Sequence, residues 1–403
     1  MSKYDDLIIG FGQGSGIGTG KLYNVKPLDL TEEGETFEGD FDVDRNSIKN
    51  VEGKDGELVQ VGLNVPSMAY LNGDTCPVLF TEPSVTNFLH YSIDFSNSYW
   101  LEGGLTKVSG VVSPEGIANA FELTTATSGY MASDSVSLTE DETYSCSVWL
   151  KGSGSIVIRF QEDGGDFTSY ANKTIELTSE WVKYSVTGLK AIDGNPARFV
   201  VDSVDSTDTV YTYSAQMQNS LSIASDVLTV GSTATSDNDK ITGAESTFES
   251  AQGVLILRTA FIREYNDSQT RMLNLSDGSS TYRIELIAPI GSDDTVSFYI
   301  ENDGDTSSHA FDIDNTQDNE YILKWGQDIV SFRINGIEVL TNAAFNTFPL
   351  NQLTTLNLAN RLGSGNYLYG KTKYIEGYND IQYYNKDFTT FNEMATFAKY
   401  NLV

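Results

Sequence analysis

The sequence predicts an all-β protein: an N-terminal extended arm and small β collar, then two antiparallel β-sandwich (jelly-roll) domains and a short C-terminal helix. Three observations predict it. From about residue 85 onward, turn residues recur roughly every 8–12 positions between short alternating segments, the spacing of a sandwich. The chain holds 22 Tyr and 20 Phe but only 8 Pro in 403 residues, a composition suited to strands joined by turns. The run Val330-Ser-Phe-Arg-Ile-Asn-Gly-Ile-Glu-Val339 places an Asn-Gly pair between two apolar segments, which is the strongest short hairpin signal. A chain of this length divides into two or three units, each large enough for its own core.

Residues 1–35 form the arm. Gly10-Phe-Gly-Gln-Gly-Ser-Gly-Ile-Gly-Thr-Gly20 carries no apolar periodicity, and glycine loses more backbone entropy on ordering than any other residue. It is not a phosphate loop: no spacing gives GxGxxG, and Gly20-Lys21 is followed by Leu22, with Ser15 where the motif needs glycine. Residues 36–84 form the collar, short strands marked by Phe37, Phe41 and Val43 and then by Val59, Val61, Leu63 and Val65. Pro83 and the Asn87 region make a stiff turn that ends this segment.

The first sandwich spans 85–220. Strands are expected at 118–123, 144–151, 156–161, 172–177, 182–186, 197–201 and 210–217. Around Cys146 the alternation is imperfect, so the pattern leaves the facing of that strand open. The second sandwich spans 221–403, with strands in Gly253-Val-Leu-Ile-Leu-Arg, Tyr282-Arg-Ile-Glu-Leu, Val296-Ser-Phe-Tyr-Ile, Tyr321-Ile-Leu-Lys-Trp and the hairpin above. A terminal helix is expected over 388–400, capped by Thr389 or Thr390 ahead of Glu393.

Charge narrows the partners. With 56 acidic against 25 basic residues the formal net charge is −31, and no basic stripe exists to neutralise phosphates. Nucleic acid and anionic membranes are therefore excluded as partners. Cys76 and Cys146 read as two free thiols in different modules and not as a disulfide framework. Asp5 and Asp6 stand where an export signal needs an apolar core, and no apolar run reaches the ~18 residues of a membrane span.

The stretch Cys76–Trp100 resembles a module junction of bacteriophage tail-fibre and other virion proteins. There a Leu-Glu-Pro-x-x-Thr-Asn-Leu turn is followed by Tyr-Ser-x-Asp-Phe-Ser-Asn-x-x-Trp. The matching residues are Phe80, Glu82, Pro83, Thr86, Asn87, Phe88, Tyr91, Ser92, Asp94, Phe95, Ser96, Asn97 and Trp100. The lead-in resembles the same architecture through Arg45, Ser47, Asn64-Val-Pro and Tyr70, with Ser67 and Met68 where an arginine is usual. Residues 85–220 resemble galactose-binding-like carbohydrate-binding modules through Ser147-Val-Trp-Leu-Lys-Gly, Glu180-Trp-Val-Lys-Tyr-Ser-Val and Tyr213-Ser-Ala-Gln-Met. In the last of these, Ser214 stands in the place of the usual glycine, and Gln218 also departs. Residues 221–403 resemble a laminin-G/concanavalin-A-like sandwich.

These resemblances imply a non-enzymatic virion structural protein: a tail fibre, head fibre or capsid decoration. It would be made in the host cytoplasm without a signal peptide, dock on other virion proteins through its arm, and present lectin-like domains to host surface glycans. They imply a homo-oligomer, a trimer by analogy with phage fibres. Two alternatives stand beside this reading: an architectural component that binds only other capsid or tail subunits, and a surface polysaccharide depolymerase. Catalysis is not expected. His90 and His309 have no nucleophile at recognisable spacing and no G-x-S-x-G elbow is present, while carboxylate pairs among 56 acidic residues carry no information.

Trp100, Trp149, Trp181 and Trp325 fall in strand motifs and are expected in the cores. The glycan-binding candidates are therefore aromatics in Gly/Ser/Asn loops: Phe167, Tyr170, Tyr367 and Tyr369. No cofactor is required. The sandwich types often carry a structural Ca²⁺, for which the candidate ligands are Asp293, Asp294, Asp303, Asp305, Asp312 and Asp314, although none matches an EF-hand loop.

Overall fold

In the computed structural model, residues 41–71, 77–163, 169–191, 195–243, 251–262, 270–288, 294–326, 329–342, 346, 348–362 and 365–378 are described. The expected arm at 1–35, Cys76 and the expected terminal helix at 388–400 lie outside them. Every described element is a β-strand and every pairing is antiparallel. Among the described residues, no helix is long and apolar enough to cross a membrane.

The middle module is a sandwich folded around one long strand. Ala120–Ser133 pairs through its first half with Thr209–Asn219 and through its second half with Ala197–Asp205. One layer continues from Thr209–Asn219 to Thr143–Ser153 and Val182–Lys190; the other runs from Ala197–Asp205 to Ser155–Glu162 and Ser169–Glu176. Between them lie Cys146, Val148, Leu150, Ile156, Ile158, Phe160, Phe199, Val201 and Met217, all buried. Each of the seven expected strands overlaps one of these elements, with 118–123 starting two residues early and 172–177 ending one residue late. Trp100–Val111, which pairs with Ala120–Ser133 along its length, was not expected, because Gly103, Gly104 and Gly110 break its alternation. The Cys146 thiol is free and buried, and burial pushes its pKa well up.

Strands of the lead-in are shared among several sheets. Phe41–Asp44 pairs with Lys240–Gly243 at the edge of one seven-stranded sheet of the C-terminal sandwich. Met68–Ala69 and Val78–Thr81 extend the other sheet beside Gly370–Tyr378. Among the described strands, only the hairpin Lys49–Glu52 with Leu58–Val61, and the pair Val85–Asn87 with Ala234–Ser236, lie outside the large sheets. The physical reason is that an isolated two-stranded ribbon is marginal in water, whereas a strand laid on a sheet edge satisfies both partners. The C-terminal sandwich is thus completed by residues that precede the middle module in sequence. Its core joins both sheets, with Phe298 stacked on Phe332 at 4.8 Å and Trp325 fully buried.

A buried ion cluster pins the shared lead-in. Arg45 Nη1 donates to Asp239 Oδ1 at 2.6 Å, and Lys49 Nζ reaches Asp239 Oδ2 at 2.6 Å and Glu82 Oε2 at 3.0 Å. The other Arg45 donors go to Ser67 Oγ and to the carbonyls of Ser47, Gly62 and Val65. Lys49 also lies 4.5 Å from the centre of the Phe80 ring. Two cations are met by two carboxylates, so the desolvated charges are compensated. Ser67, the departure from the usual arginine, is itself an acceptor for Arg45.

The junction motif is structural fabric. Asn87 is buried; its Nδ2 donates to the carbonyls of Ala215 and Val227, and its Oδ1 accepts from the amides of Leu89 and Met217. Ser92 and Thr229 bond each other through side chain and backbone. Trp100 donates to the Tyr91 carbonyl at 2.7 Å and packs on Phe95 at 4.8 Å. Asn87, Ser92 and Trp100 each satisfy backbone groups of the join, so these members of the motif are structural.

Candidate functional site

The outer face of the sheet built on Thr143–Ser153 explains the broken alternation there. Residues 144–150 are buried at every position, because the chain that follows the module folds back over the outer face. Gln216 Nε2 donates to the Ser225 carbonyl and its Oε1 accepts from Val227 N; Gln218 bonds Ser222 in the same way. Asp226 is the hub of this cover. Its carboxylate accepts from Trp149 Nε1 at 3.0 Å, Lys183 Nζ at 3.0 Å and Ser214 Oγ at 2.7 Å. Ser214 sits in a bulge with φ of 38°, a region that favours glycine. Its bond to Asp226 helps to hold that conformation.

Beyond this cover one row of the sheet stays open. The register sets Tyr211 opposite Lys151 and opposite Glu122, and Val182 opposite Leu150, so Trp181 enters the same row. Lys151 Nζ lies 4.9 Å from the Trp181 ring centre and 5.5 Å from that of Tyr211. Among the described residues Lys151 has no ion pair or hydrogen bond. Trp181, Lys151 and Tyr211 are all half-buried, and exposed Val108 lies in the same row beyond Glu122. Trp181 Nε1 donates to the Val112 carbonyl at 3.1 Å, which fixes the ring. Two aromatic faces held apart by an unpaired ammonium can stack on an apolar ring face while donating to its oxygens.

Three of the four tryptophans are core, as expected: Trp100, Trp149 and Trp325 are buried. Trp181 is the correction. Its strand begins at the module's edge, so half the indole stays open. The described loop aromatics, Tyr170, Tyr367 and Tyr369, have separate surroundings. Phe167 lies outside the described residues. Tyr170 sits on Ser169–Glu176 and packs on Phe160 at 5.5 Å. Tyr367 is half-buried, away from them. Tyr369 is buried, with its ring 5.8 Å from Phe80 and its hydroxyl donating to the Ile223 carbonyl at 2.6 Å. It is a core residue that happens to follow a glycine-rich loop.

The acidic candidates are also dispersed. Asp293 lies outside the described residues, and Asp294, Asp303, Asp305, Asp312 and Asp314 are exposed. Asp303 and Gly304, with φ of 50° and 93°, are the two-residue turn of a hairpin in which Asn302 pairs with Asp305. Asp305 accepts from Asn346, and Asp314 from the amide and hydroxyl of Thr316. Hydrogen bonding from Thr316 holds the Asp314 carboxyl below the usual range. Among the described residues no three His, Cys, Asp or Glu side chains gather into a metal site.

No family model matches the chain, and no curated protein matches its sequence. Solved structures match over about a third of it. One is domain 4 of AbnA, a GH43 extracellular arabinanase from Geobacillus stearothermophilus, in complex with arabinotriose (14% identity, 36% of this chain, 68% of that chain, TM-score 0.29). Another is the CBM40 of the Ruminococcus gnavus IT-sialidase bound to α2,3 sialyllactose (15%, 37% and 83%, TM-score 0.30). A third is the enzymatically active domain of bacteriophage CBA120 tailspike protein 4 (15%, 32% and 21%, TM-score 0.27). Likenesses this partial carry no conclusion about ligand or chemistry.

Proposed function

We propose that the chain is a non-enzymatic bacteriophage virion structural protein (tail fibre, head fibre or capsid decoration) that presents its middle sandwich to host-surface glycans. The observation that carries the reading is the half-buried row Trp181–Lys151–Tyr211, beside the covered residues 144–150. The junction residues Glu82-Pro83 to Trp100 support the virion context by resemblance. In this reading the arm docks on other virion proteins, no cofactor is required, and several copies, three by analogy with phage fibres, act together. Multiplicity matters because a shallow site of millimolar affinity supplies only about 4 kcal/mol, and linked copies raise the effective concentration.

A glycan array probed with the full chain tests the binding. Trp181→Ala and Tyr211→Ala are each expected to weaken the strongest signal about tenfold, the equivalent of ~1.4 kcal/mol, with both sandwiches still folded. Absence of glycan binding by the parent protein, or binding by both variants as strong as the parent's, would overturn the reading and favour the architectural alternative. Removal of residues 1–35 is expected to abolish incorporation into particles while leaving the thermal transitions of the sandwiches in place. Normal incorporation of the truncated chain would show that the arm is not the anchor.

A further inference from the structure

The buried cluster that pins the lead-in brings an amine into contact with a carboxyl group away from water. The side chains of Lys49, Glu82 and Asp239 are 1%, 4% and 2% exposed. Lys49 Nζ donates to Asp239 Oδ2 at 2.6 Å and lies 3.0 Å from Glu82 Oε2. The centre of the Phe80 ring is 4.5 Å from the same nitrogen, and Phe80 belongs to a buried apolar cluster with Val51, Val61, Val85 and Tyr369. Backbone bonds hold the two acids in place. Asp239 N donates to the Glu82 carbonyl, Glu82 N donates to Asp239 Oδ2, and Ser225 N donates to Glu82 Oε1. Arg45 Nη1 donates at 2.6 Å to the other Asp239 oxygen, Oδ1.

Each contact has a role in joining the two groups. The amine has its electrophile, Asp239 Cγ, on one side and a second carboxylate, Glu82, on the other to carry protons. The guanidinium of Arg45, which keeps its proton, sits on the carboxyl oxygen that the amine does not touch. Fixed contact supplies the proximity that a free amine and carboxylate lack in water. Buried ions carry a desolvation cost that a neutral amide avoids.

We propose that the protein joins Lys49 to Asp239 by an amide bond, in a single self-catalysed event that starts from this ion pair. Glu82 carries a proton from the Lys49 ammonium to Asp239 Oδ2, which leaves a neutral amine facing a neutral carboxyl group. Nζ then bonds to Cγ, and Arg45 stabilises the negative charge that develops on Oδ1. The Cγ–Oδ2 bond breaks as a second proton passes from Nζ to Oδ2, and water leaves. One ammonium and one carboxylate become one amide and one water, so atoms and charge balance without a co-reactant. Arg45 and Glu82 remain as one cation and one anion. The joined residues lie 190 positions apart, so the bond closes a loop that contains the whole middle module. Tension between the two ends of the chain then runs through the bond and bypasses that module. None of this depends on the aromatic row or on glycan binding.

Intact-mass measurement of the purified full chain, followed by digestion and tandem mass spectrometry, tests the bond. The protein is expected to weigh one water less than its sequence and to yield a branched peptide joining Lys49 to Asp239. Lys49→Met and Glu82→Gln should each keep the full sequence mass and give no branched peptide. The measurement on the parent protein needs no variant, so it decides the matter even where a buried substitution unfolds the chain. A parent protein at full sequence mass, or one whose lost water maps elsewhere in the chain, would show that the cluster is an ion pair only and end the proposal. A folded Glu82→Gln protein linked as completely as the parent would refute the proton transfer assigned to Glu82.

Discussion

Asp239→Ala is expected to destabilise the protein by about 3–5 kcal/mol, because it leaves two buried cations without their shared anion. Asp239 binds Arg45 and Lys49 at 2.6 Å each and also accepts from Glu82 N at 3.0 Å. After the substitution Lys49 keeps Glu82, but Arg45 keeps only neutral acceptors. Strands Phe41–Asp44 and Val78–Thr81 should loosen together, since the cluster ties both to the segment before Lys240–Gly243. Denaturant unfolding followed by fluorescence, with hydrogen exchange at these two strands, reads the effect. Asp44→Ala is the control: its pair with Lys240 at 3.1 Å is solvent-exposed and should contribute no more than ~1 kcal/mol. Equal midpoints for the two variants would show that the buried cluster does not hold the lead-in.

Gly152→Ala should be comparably damaging to the middle module. Gly152 has φ of 141°, and a Cβ added there would lie 1.7 Å from the Thr209 carbonyl oxygen, a backbone atom of the paired strand. The strain of the backbone conformation costs about 1–3 kcal/mol, and forcing the strands apart adds about 1–3 kcal/mol. The glycine that closes Ser147-Val-Trp-Leu-Lys-Gly is therefore a close-approach position where Thr143–Ser153 meets Thr209–Asn219. A lowered unfolding midpoint for this module is expected, together with weaker glycan signal, since Lys151 and Tyr211 flank the contact. A stability within ~0.5 kcal/mol of the parent would mean that the strands can separate at that point without cost.

The sequence by itself determined the all-β class, because alternation and turn spacing are local properties set by the two-residue repeat of a strand. The strands at 144–151 and 210–217, the Asn335-Gly336 hairpin and the burial of Trp100, Trp149 and Trp325 were legible for the same reason. Tertiary structure alone decided the rest. Alternation says that Trp149 and Lys151 share a face, but not that residues 222–227 return to cover one and leave the other open. Local spacing likewise made Tyr369 look like a loop aromatic, although its hydroxyl and ring are claimed by Ile223 and Phe80, far away in the chain. Asp239 and Arg45 lie 194 residues apart, as part of a lead-in whose strands belong to sheets formed after the middle module. Side-chain direction is written in the local pattern; what lies opposite each side chain is set by how distant segments pair and pack.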